Sequence, residues 1–303
     1  MYLSYSGYKI AYECLYRYWH MYINVTKPAK PDDRLGSIFG TTIGALFEAF
    51  YQEKLWRHKN VQEILQSRAK RYVVDAIKEA TTATDWRAAG IIDWKDDVTN
   101  PRGIYYNVEE LIEDVRHAVP RGLETIRSNA LLGKDAVAEM YLNTPVGDHT
   151  FGGRADFVMT LHKTGERVIL DGKGSRSLDK DRYTDPTQLL WYSLLLWEKH
   201  QEFPDWTGFV YWKKDPPHNV TKHVFSKGDA ENLKRGVLAI MKTIEDGQDR
   251  LPSSEKVTLD IVQEQFPPKP TESNCRFCPY AADGVCDSGA ETVRKMKKRY
   301  EKR

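Results

Sequence analysis

The sequence predicts a mixed α/β protein in which a central sheet is flanked by helices. Apolar residues recur at helical spacing through most of the first 130 residues. The period then changes, and short β-branched and aromatic-rich runs predict strands between residues 136 and 225. A chain of 303 residues, of which 41% are apolar, is long enough to bury a core in one large domain.

Composition excludes a transmembrane helix and leaves the binding partner open. The mean hydropathy is −0.60, and no apolar run reaches the roughly 18 residues that span a membrane. The 45 basic and 43 acidic residues nearly balance, so net charge alone does not indicate a nucleic-acid partner. The N-terminus lacks the charged, apolar and small-residue pattern of a signal peptide. We therefore expect a cytoplasmic protein without a membrane partner.

The N-terminal third is predicted to be helical. In residues 7–21, Ile10, Cys14 and Tyr18 fall roughly on one helical face. Pro120 is expected to kink or break a later helix, because proline removes a backbone hydrogen bond. Loops are expected over 28–33 and 86–103, and further helices over 38–57, 61–82 and 108–131.

The central part is predicted to alternate between strands and helices. Strands are expected over 136–144, 150–161, 167–172, 208–212 and 220–225, with helices over 185–200 and 230–246. We interpret 1–303 as a single domain. Its parts are an N-terminal helix with Cys14 (1–25), a helical region (26–134), an α/β core (135–250) and a cysteine segment with a basic tail (251–303).

The distribution of the four cysteines predicts a metal site. Cys275, Cys278 and Cys286 form a C-x2-C-x7-C array within twelve residues, and Cys14 lies near the other terminus. Disulfides are rare in cytosolic proteins, whereas thiolates at C-x2-C spacing can bind one metal from a single turn. We expect the three C-terminal cysteines to be metal ligands.

Two aspartates and a lysine in the central strands indicate hydrolytic chemistry. Fourteen residues separate Asp156 from Asp171, so a strand, a tight turn and a returning strand would make the two carboxylates neighbours. Close carboxylates repel unless a cation lies between them, and Mg²⁺ accepts a few carboxylate oxygens together with waters. Lys173 follows on the same side of the strand as Asp171, where an ammonium can stabilise charge developing on a phosphate. An ordinary charged surface hairpin is the alternative that spacing alone leaves open.

An apolar helix follows this hairpin and carries two polar residues on one face. Gln188 and Tyr192 are four residues apart in QLLWYSLLLW and are therefore neighbours on a helix. Each needs a partner or a function, since a buried polar group is costly when unpaired. A core helix with two satisfied polar groups is the plainer interpretation.

Six short segments carry motifs in a fixed order: LSYSGYKIAYECLYRYW, FGTTIGALFEAF, AEMYLNTPVGDHTFGGRADFV, VILDGKGS, QLLWYSLLL and the cysteine array. In this order they resemble the PD-(D/E)XK nucleases, specifically the RecB-like branch found in recombination helicase–nucleases and in CRISPR adaptation. The corresponding motifs are a Ser-x-Ser helix followed by a cysteine, G-T-x-x-H-x-x-x-E, E…G-R-x-D, (D/E)-x-K, Q-x-x-x-Y and, in part of the branch, an iron–sulfur clasp. The resemblance covers nearly the whole chain.

The resemblance implies a fold, a reaction and a set of site residues. The fold would be a restriction-endonuclease-like mixed sheet flanked by helices. The reaction would be metal-dependent hydrolysis of DNA phosphodiesters, as an exonuclease acting on ends or single strands. The implied site residues are Asp156 and Asp171 as ligands of Mg²⁺ or Mn²⁺, the Gly172 carbonyl as a further ligand, Lys173 as the catalytic lysine, and Gln188 and Tyr192 as residues that orient the lysine or the scissile strand.

The same resemblance implies a cluster at the cysteines. Cys14, Cys275, Cys278 and Cys286 would hold a 4Fe–4S cluster, which takes four thiolates. Seven residues separate Cys278 from Cys286, where five are more usual in the family, so zinc in a four-cysteine site is the alternative.

The chain departs from the family at one position of the implied site. Gly44 stands where the family has a metal-ligating histidine, and Glu48, one turn later on the same helix face, is the candidate to replace it. A weakened nuclease-fold module that only binds nucleic acid, or a zinc-clasped RNA-processing nuclease, are the alternative functions. The sequence contains no P-loop motif, so we expect the protein to act alone on exposed DNA ends or single strands, or with a separate helicase or a recombination or replication protein as a partner.

Overall fold

The computed structural model describes residues 1–27, 38–83, 94–95, 105, 107–174, 185–213, 215–252, 257–276 and 278–301. The loop expected at 28–33 and most of the irregular stretch at 86–103 lie outside the described residues. The chain divides into two compact units. The first comprises Met1–Leu35, Pro145–Phe151 and Asn232–Arg303, and the second comprises Gly36–Thr144 and Gly152–Glu231.

The described residues up to 128 are mainly helical, as their periodicity predicts. The helix expected at 7–21 is divided at Cys14, whose extended backbone (φ −166°, ψ 109°) ends the first helix. The elements are β1 (Tyr2–Ser4), α1 (Tyr5–Glu13), α2 (Leu15–Tyr18), a π-helical turn (Trp19–Ile23), α3 (Ile38–Gln52), a 3₁₀ turn (Leu55–Arg57), α4 (Val61–Thr82) and α5 (Val108–Ser128).

A break at Pro120 is not observed, because α5 continues through this residue. A proline inside a helix costs about 3 kcal/mol. On the same helix Leu111, Val115 and Val119 are almost fully buried, and each such side chain contributes roughly 1.5–3 kcal/mol on burial. The packing of this apolar face therefore outweighs the local cost of the proline.

The described residues of the central part contain six strands where the sequence predicts five. The elements are β2 (Val137–Tyr141), β3 (Thr144–Val146), β4 (His149–Gly152), β5 (Arg154–Thr160), β6 (Arg167–Lys173), α6 (Pro186–His200) and β7 (Trp206–Tyr211). The prediction of a strand at 220–225 is wrong. Only isolated bridges join Val220 and His223 to β7. The Thr221 hydroxyl accepts a hydrogen bond from the Phe209 N–H at 3.0 Å, and this side-chain contact interrupts the backbone ladder.

The C-terminal part is helical again. It contains α7 (Lys227–Asp249), α8 (Leu259–Gln265), α9 (Glu272–Cys275), α10 (Pro279–Ala282) and α11 (Asp287–Glu301). Threonine side chains cap two of these helices: Thr258 accepts from the Ile261 N–H and Thr271 from the Asn274 N–H. Among the described residues, no helix combines the length and the apolar character that crossing a membrane requires.

A mixed sheet lies in the second unit, in the strand order β2-β5-β6-β7. β5 pairs antiparallel with β2 and β6, whereas β7 runs parallel to β6. Side chains alternate between its faces. Phe157, Leu170 and Trp212 join the core formed with α3, α4 and α5, and Phe209 and Tyr211 pack with Leu189 of α6. The mixed sheet flanked by helices confirms the predicted fold class. The smaller sheet, β1-β4-β3, lies essentially in the first unit.

Candidate active site

The two central strands of the mixed sheet bring Asp156 and Asp171 side by side. Phe157 of β5 lies opposite Leu170 of β6, and the next pair in the same register is Asp156 and Asp171. The Gly172 N–H donates to Asp156 Oδ2 at 2.7 Å. A Cβ on residue 172 would lie 2.6 Å from the Trp212 indole nitrogen, so glycine is the residue that fits. The hairpin geometry expected for the two carboxylates is present.

Lys173 ends β6 and forms an ion pair with Asp171. Their Nζ and Oδ2 atoms are 2.5 Å apart, as strand alternation predicts for residues two apart. The ammonium also donates to Gln188 Oε1 at 3.0 Å. Burial acts to lower the pKa of Lys173, but the charge and hydrogen bond of Asp171, together with the charge of Asp156, outweigh it and raise this pKa. Lys173 is therefore held as a cation.

Helix α6 supplies the two polar side chains that complete the cluster. Its first turn is capped by Asp185, whose side chain accepts from the Thr187 N–H at 3.0 Å. The Gln188 amide donates to Asp171 Oδ1 at 2.9 Å and to the Tyr192 hydroxyl oxygen at 3.2 Å. With its oxygen accepting from Lys173, the amide uses all its polar groups inside the site. Tyr192 is buried, and burial raises its pKa.

The cluster carries excess negative charge. Burial, followed by the charge of Asp171, raises the pKa of Asp156 well above its usual range. The Gly172 N–H and the Lys173 charge act in the opposite direction but do not overcome these effects. Two carboxylates against one ammonium therefore form a site that favours a further cation.

Two residues outside the predicted set also belong to this cluster. Glu139 of β2 falls opposite Asp156 in the register, and its backbone φ of 54° is uncommon for a residue other than glycine. Its carboxylate pairs with Arg154 of β5. Burial raises the pKa of Glu139 against the Arg154 charge, and Glu48 and Asp171 add to the increase. The sequence could have indicated these two residues through the Glu and Arg of the E…G-R-x-D motif. It carries no pattern that predicts the positive φ of Glu139.

Gly44 and Glu48 both lie on α3. A Cβ at Gly44 would meet nothing within 4 Å, so a larger residue has space there. Glu48 Oε1 accepts from the Gln52 side chain at 2.8 Å, and the charge of Glu48 acts on Glu139. The charge of Glu48 therefore reaches the Glu139 carboxylate.

The oxygen atoms of this cluster fit a small divalent cation. Within the described residues, no three His, Cys, Asp or Glu side chains form a complete metal site. Mg²⁺ needs few protein ligands because it keeps several of its waters. The buried Asp171 Oδ2 lies 2.5 Å from the Lys173 ammonium. The two aspartates supply the carboxylate oxygens available to such an ion.

The four cysteines gather in the first unit. Cys14, Cys275, Cys278 and Cys286 line one cavity together with Arg17, and all four are free rather than disulfide-bonded. Burial, followed by the charges of the other three cysteines, raises the pKa of Cys275 to about 11. Thiols are the donors that a structural zinc ion or an iron–sulfur cluster takes, but among the described residues the four cysteines do not form a complete metal-binding group.

The mixed sheet presents two aspartates and a lysine side by side. This arrangement is typical of nucleases that cut phosphodiester bonds at a D…(D/E)-x-K site. The sequence matches the PD-(D/E)XK nuclease superfamily over residues 2–287, and the chain belongs to this superfamily. The protein is thus a member of a family of phosphodiester hydrolases, which typically use divalent metals such as Mg²⁺ or Mn²⁺.

Two solved structures resemble the chain at low sequence identity. One is a Eubacterium rectale protein provisionally named an exonuclease, at 11% identity and a TM-score of 0.46, with 89% of this chain and 85% of that chain covered. The other is the protein SSO0001, at 16% identity and a TM-score of 0.28, with 60% and 76% covered. No curated protein matches the sequence.

Proposed function

We propose that this protein is a metal-dependent DNA nuclease of the RecB-like branch that hydrolyses phosphodiester bonds at DNA ends or in single strands. The observation that carries the proposal is the contact between Asp171, Lys173 and Gln188 beside Asp156. Membership of the superfamily supports a phosphodiester hydrolase. The order of the six motifs supports the branch and, with it, DNA as the substrate.

Each residue of the cluster has its own role in the proposed reaction. Asp156, Asp171 and the Gly172 carbonyl would hold Mg²⁺ or Mn²⁺, which supplies polarisation of a phosphate oxygen and a bound water of lowered pKa. The Lys173 ammonium stabilises the negative charge that develops on the phosphate oxygens. Gln188 fixes the position of that ammonium through a 3.0 Å hydrogen bond. Tyr192 supports the Gln188 amide from the buried side.

We also infer that the four cysteines hold a 4Fe–4S cluster that joins the N-terminal and C-terminal segments of the first unit. Their position around one cavity supports this inference. Zinc is the other occupant that suits four thiolates. A visible spectrum of protein purified without oxygen distinguishes the two, since an iron–sulfur protein is brown with broad visible absorption and a zinc protein is colourless.

A cleavage assay on matched substrates tests the proposed activity. End-labelled single-stranded DNA, duplex DNA, closed circular DNA and RNA of the same sequence are incubated with Mg²⁺, with Mn²⁺ or with excess EDTA. We expect linear DNA to be shortened from its ends, closed circles to be spared and EDTA to stop the reaction. Cleavage of circles as fast as linear DNA would exclude end dependence, and a preference for RNA would exclude the DNA assignment. The variant Lys173→Ala, purified in the same way, controls for contaminating nucleases.

We infer in addition that duplex DNA is opened by a separate helicase or by a recombination or replication protein. The absence of a P-loop motif from this sequence supports the inference. Single strands should therefore be degraded much faster than blunt duplexes of the same length. Equal rates on both, without any added protein, would contradict it.

A further inference from the structure

An exposed tyrosine lies at the edge of the mixed sheet, close to Asp156. Tyr141 is the last residue of the edge strand β2 and is 65% exposed. Among the described residues of the second unit, it is the only aromatic residue that is exposed. A single exposed ring is common on protein surfaces and indicates no function by itself. The side chains around Tyr141 give this ring its significance.

Arg154 lies beside the Tyr141 ring. The two residues are directly opposite in the pairing of β2 with β5, so their side chains share one face of the sheet. The guanidinium carbon of Arg154 is 5.9 Å from the centre of the ring, which is within the range of a cation–π contact. The ion pair with Glu139 holds Arg154 in place, while its side chain stays 55% exposed. The ring and the guanidinium therefore form a surface that is open to solvent.

Lys199 adds a second positive charge to this surface. It lies near the end of α6, and its ammonium donates to the Tyr141 carbonyl oxygen at 2.8 Å. Lys199 is exposed, and an ammonium has three hydrogens to donate. One contact with the backbone therefore leaves donors for water or for a phosphate oxygen. We call Tyr141, Arg154 and Lys199 the Tyr141 patch.

The Tyr141 patch is close to the proposed cleavage site. Arg154 and Asp156 are two residues apart on β5, so they share a face and lie about 6–7 Å apart along the strand. The charge of Asp156 also acts on Arg154. A strand of duplex DNA advances roughly 3.4 Å per nucleotide. A DNA strand with a phosphate at Asp156 would thus bring a nucleotide one or two steps away to the patch.

We propose that the Tyr141 patch is a subsite for single-stranded DNA, in which Tyr141 stacks on an unpaired base and Arg154 and Lys199 contact the adjoining phosphates. Aromatic rings combined with basic side chains are the usual means of binding single strands, and stacking accepts every base. A base inside a duplex is already stacked and paired, so the subsite favours unpaired DNA. The inference rests on the proposed DNA nuclease function and specifies its substrate.

Binding of end-labelled single-stranded DNA, measured by fluorescence anisotropy in EDTA to prevent cleavage, tests the stacking contact. Tyr141→Ala removes the ring, and Tyr141→Phe keeps it. Tyr12→Ala is the matched control, because Tyr12 is 63% exposed and Lys269 lies 5.5 Å from the centre of its ring, but it belongs to the first unit. A second series of oligonucleotides carries one abasic site, moved one nucleotide at a time from the end.

We expect Tyr141→Ala to bind about tenfold more weakly than wild type, within the range that alanine costs at a base-stacking ring. Tyr141→Phe and Tyr12→Ala should bind like wild type. One abasic position should weaken binding by wild type to a similar extent. The same abasic site should leave Tyr141→Ala unaffected, because that variant has no ring on which the base could stack.

The salt dependence of binding tests the phosphate contacts. Arg154→Gln and Lys199→Gln should each lower the slope of log affinity against log salt concentration by about 1, the value for one phosphate contact. Tyr141→Ala should keep the wild-type slope, since stacking releases no counterion. If Arg154→Gln does not fold because Glu139 loses its partner, the slope of Lys199→Gln decides.

Other outcomes overturn the subsite and leave the nuclease proposal to its own assay. Wild-type affinity in Tyr141→Ala, or an equal loss in Tyr12→Ala, would exclude stacking at this position. Unchanged DNA affinity with a lower mass in solution for Tyr141→Ala would assign the patch to an interface between two copies of the chain. Cleavage of DNA by the wild type in either case would keep the nuclease function. A wild-type protein that neither binds nor cuts DNA would remove both proposals.

Discussion

Lys173 donates a hydrogen bond to Gln188 across 3.0 Å and so joins the end of strand β6 to the first turn of helix α6. Gln188 also donates to Asp171 at 2.9 Å, and Asp171 lies 2.5 Å from the Lys173 ammonium. The three side chains form a closed ring of polar contacts. The position of the lysine therefore depends on the packing of α6 against the sheet as well as on its own strand.

Replacing Lys173 by alanine should lower the single-turnover cleavage rate by about 10²–10³-fold, the usual cost of losing one preorganised charge at a developing oxyanion. DNA binding, measured by fluorescence anisotropy, and the far-UV spectrum should stay close to wild type. Lys222, which is 54% exposed in the same unit, provides the matched control. Lys222→Ala should cut at the wild-type rate. Wild-type cleavage by Lys173→Ala would show that the site is wrongly assigned.

Asp156→Asn and Asp171→Asn should each remove metal-dependent cleavage. Each change halves the anionic charge of the aspartate pair, and hard divalent cations need carboxylate oxygens. Titration of activity with Mg²⁺ and Mn²⁺ measures the loss, which added metal should recover only in part. In the wild type, excess EDTA should have the same effect. Cleavage that persists in EDTA contradicts the metal-dependent mechanism.

The metal-free protein should lose stability as pH rises, because of Asp156. In the unfolded chain an aspartate titrates near about 3.9, whereas in the folded protein the pKa of Asp156 is raised well above this. Between these two values the folded state binds more protons, so the free energy of unfolding falls with increasing pH. The pKa of Lys173 is raised, so this lysine stays protonated in this pH window and does not change the pH dependence of stability.

Urea unfolding in EDTA, repeated over a series of pH values, measures this effect. Asp156→Asn lacks the titrating carboxylate and should show a smaller decrease in stability over the same pH window. At neutral pH it should be at least as stable as the metal-free wild type, since the repulsion from Asp171 is removed. Identical pH slopes for the two proteins would mean that folding does not disfavour the charged form of Asp156.

Cys278→Ala should damage stability first and chemistry only second. A structural metal contributes its binding free energy directly to folding, and a site that joins residues 14 and 286 closes a very long loop. We expect less soluble protein and a melting temperature several degrees lower, measured by calorimetry on anaerobic samples. A soluble, equally heat-resistant and fully active variant would show that the cysteines hold no structural cofactor.

Gly44→His tests the position at which this chain differs from the histidine of its family. Space is available, since a Cβ at Gly44 meets nothing within 4 Å. If the metal shell lacks a ligand, activity at limiting metal should rise, and more with Mn²⁺ than with Mg²⁺, because imidazole suits Mn²⁺ better. If Glu48 already fills that role, the histidine should lower activity and Glu48→Ala should be damaging too. Unchanged metal titrations in both variants would show that α3 does not line the metal site.

The sequence by itself determined the features that depend on near neighbours. Strand alternation put Asp171 and Lys173 on one side of β6, and the helical period put Gln188 and Tyr192 on one face of α6. The C-x2-C spacing likewise placed Cys275 and Cys278 close together as candidate metal ligands. Each of these inferences needs only the local backbone geometry, which a short segment can establish alone.

Only the tertiary structure decided which distant segments meet. It placed Glu139 beside Asp156 and Asp171 with a positive φ, and it brought Arg17 to the cysteine cavity. It also kept α5 intact through Pro120. The physical reason is that these arrangements are stabilised by burying surfaces far apart in the chain, and that free energy outweighs local propensity without leaving a periodic signal in the sequence.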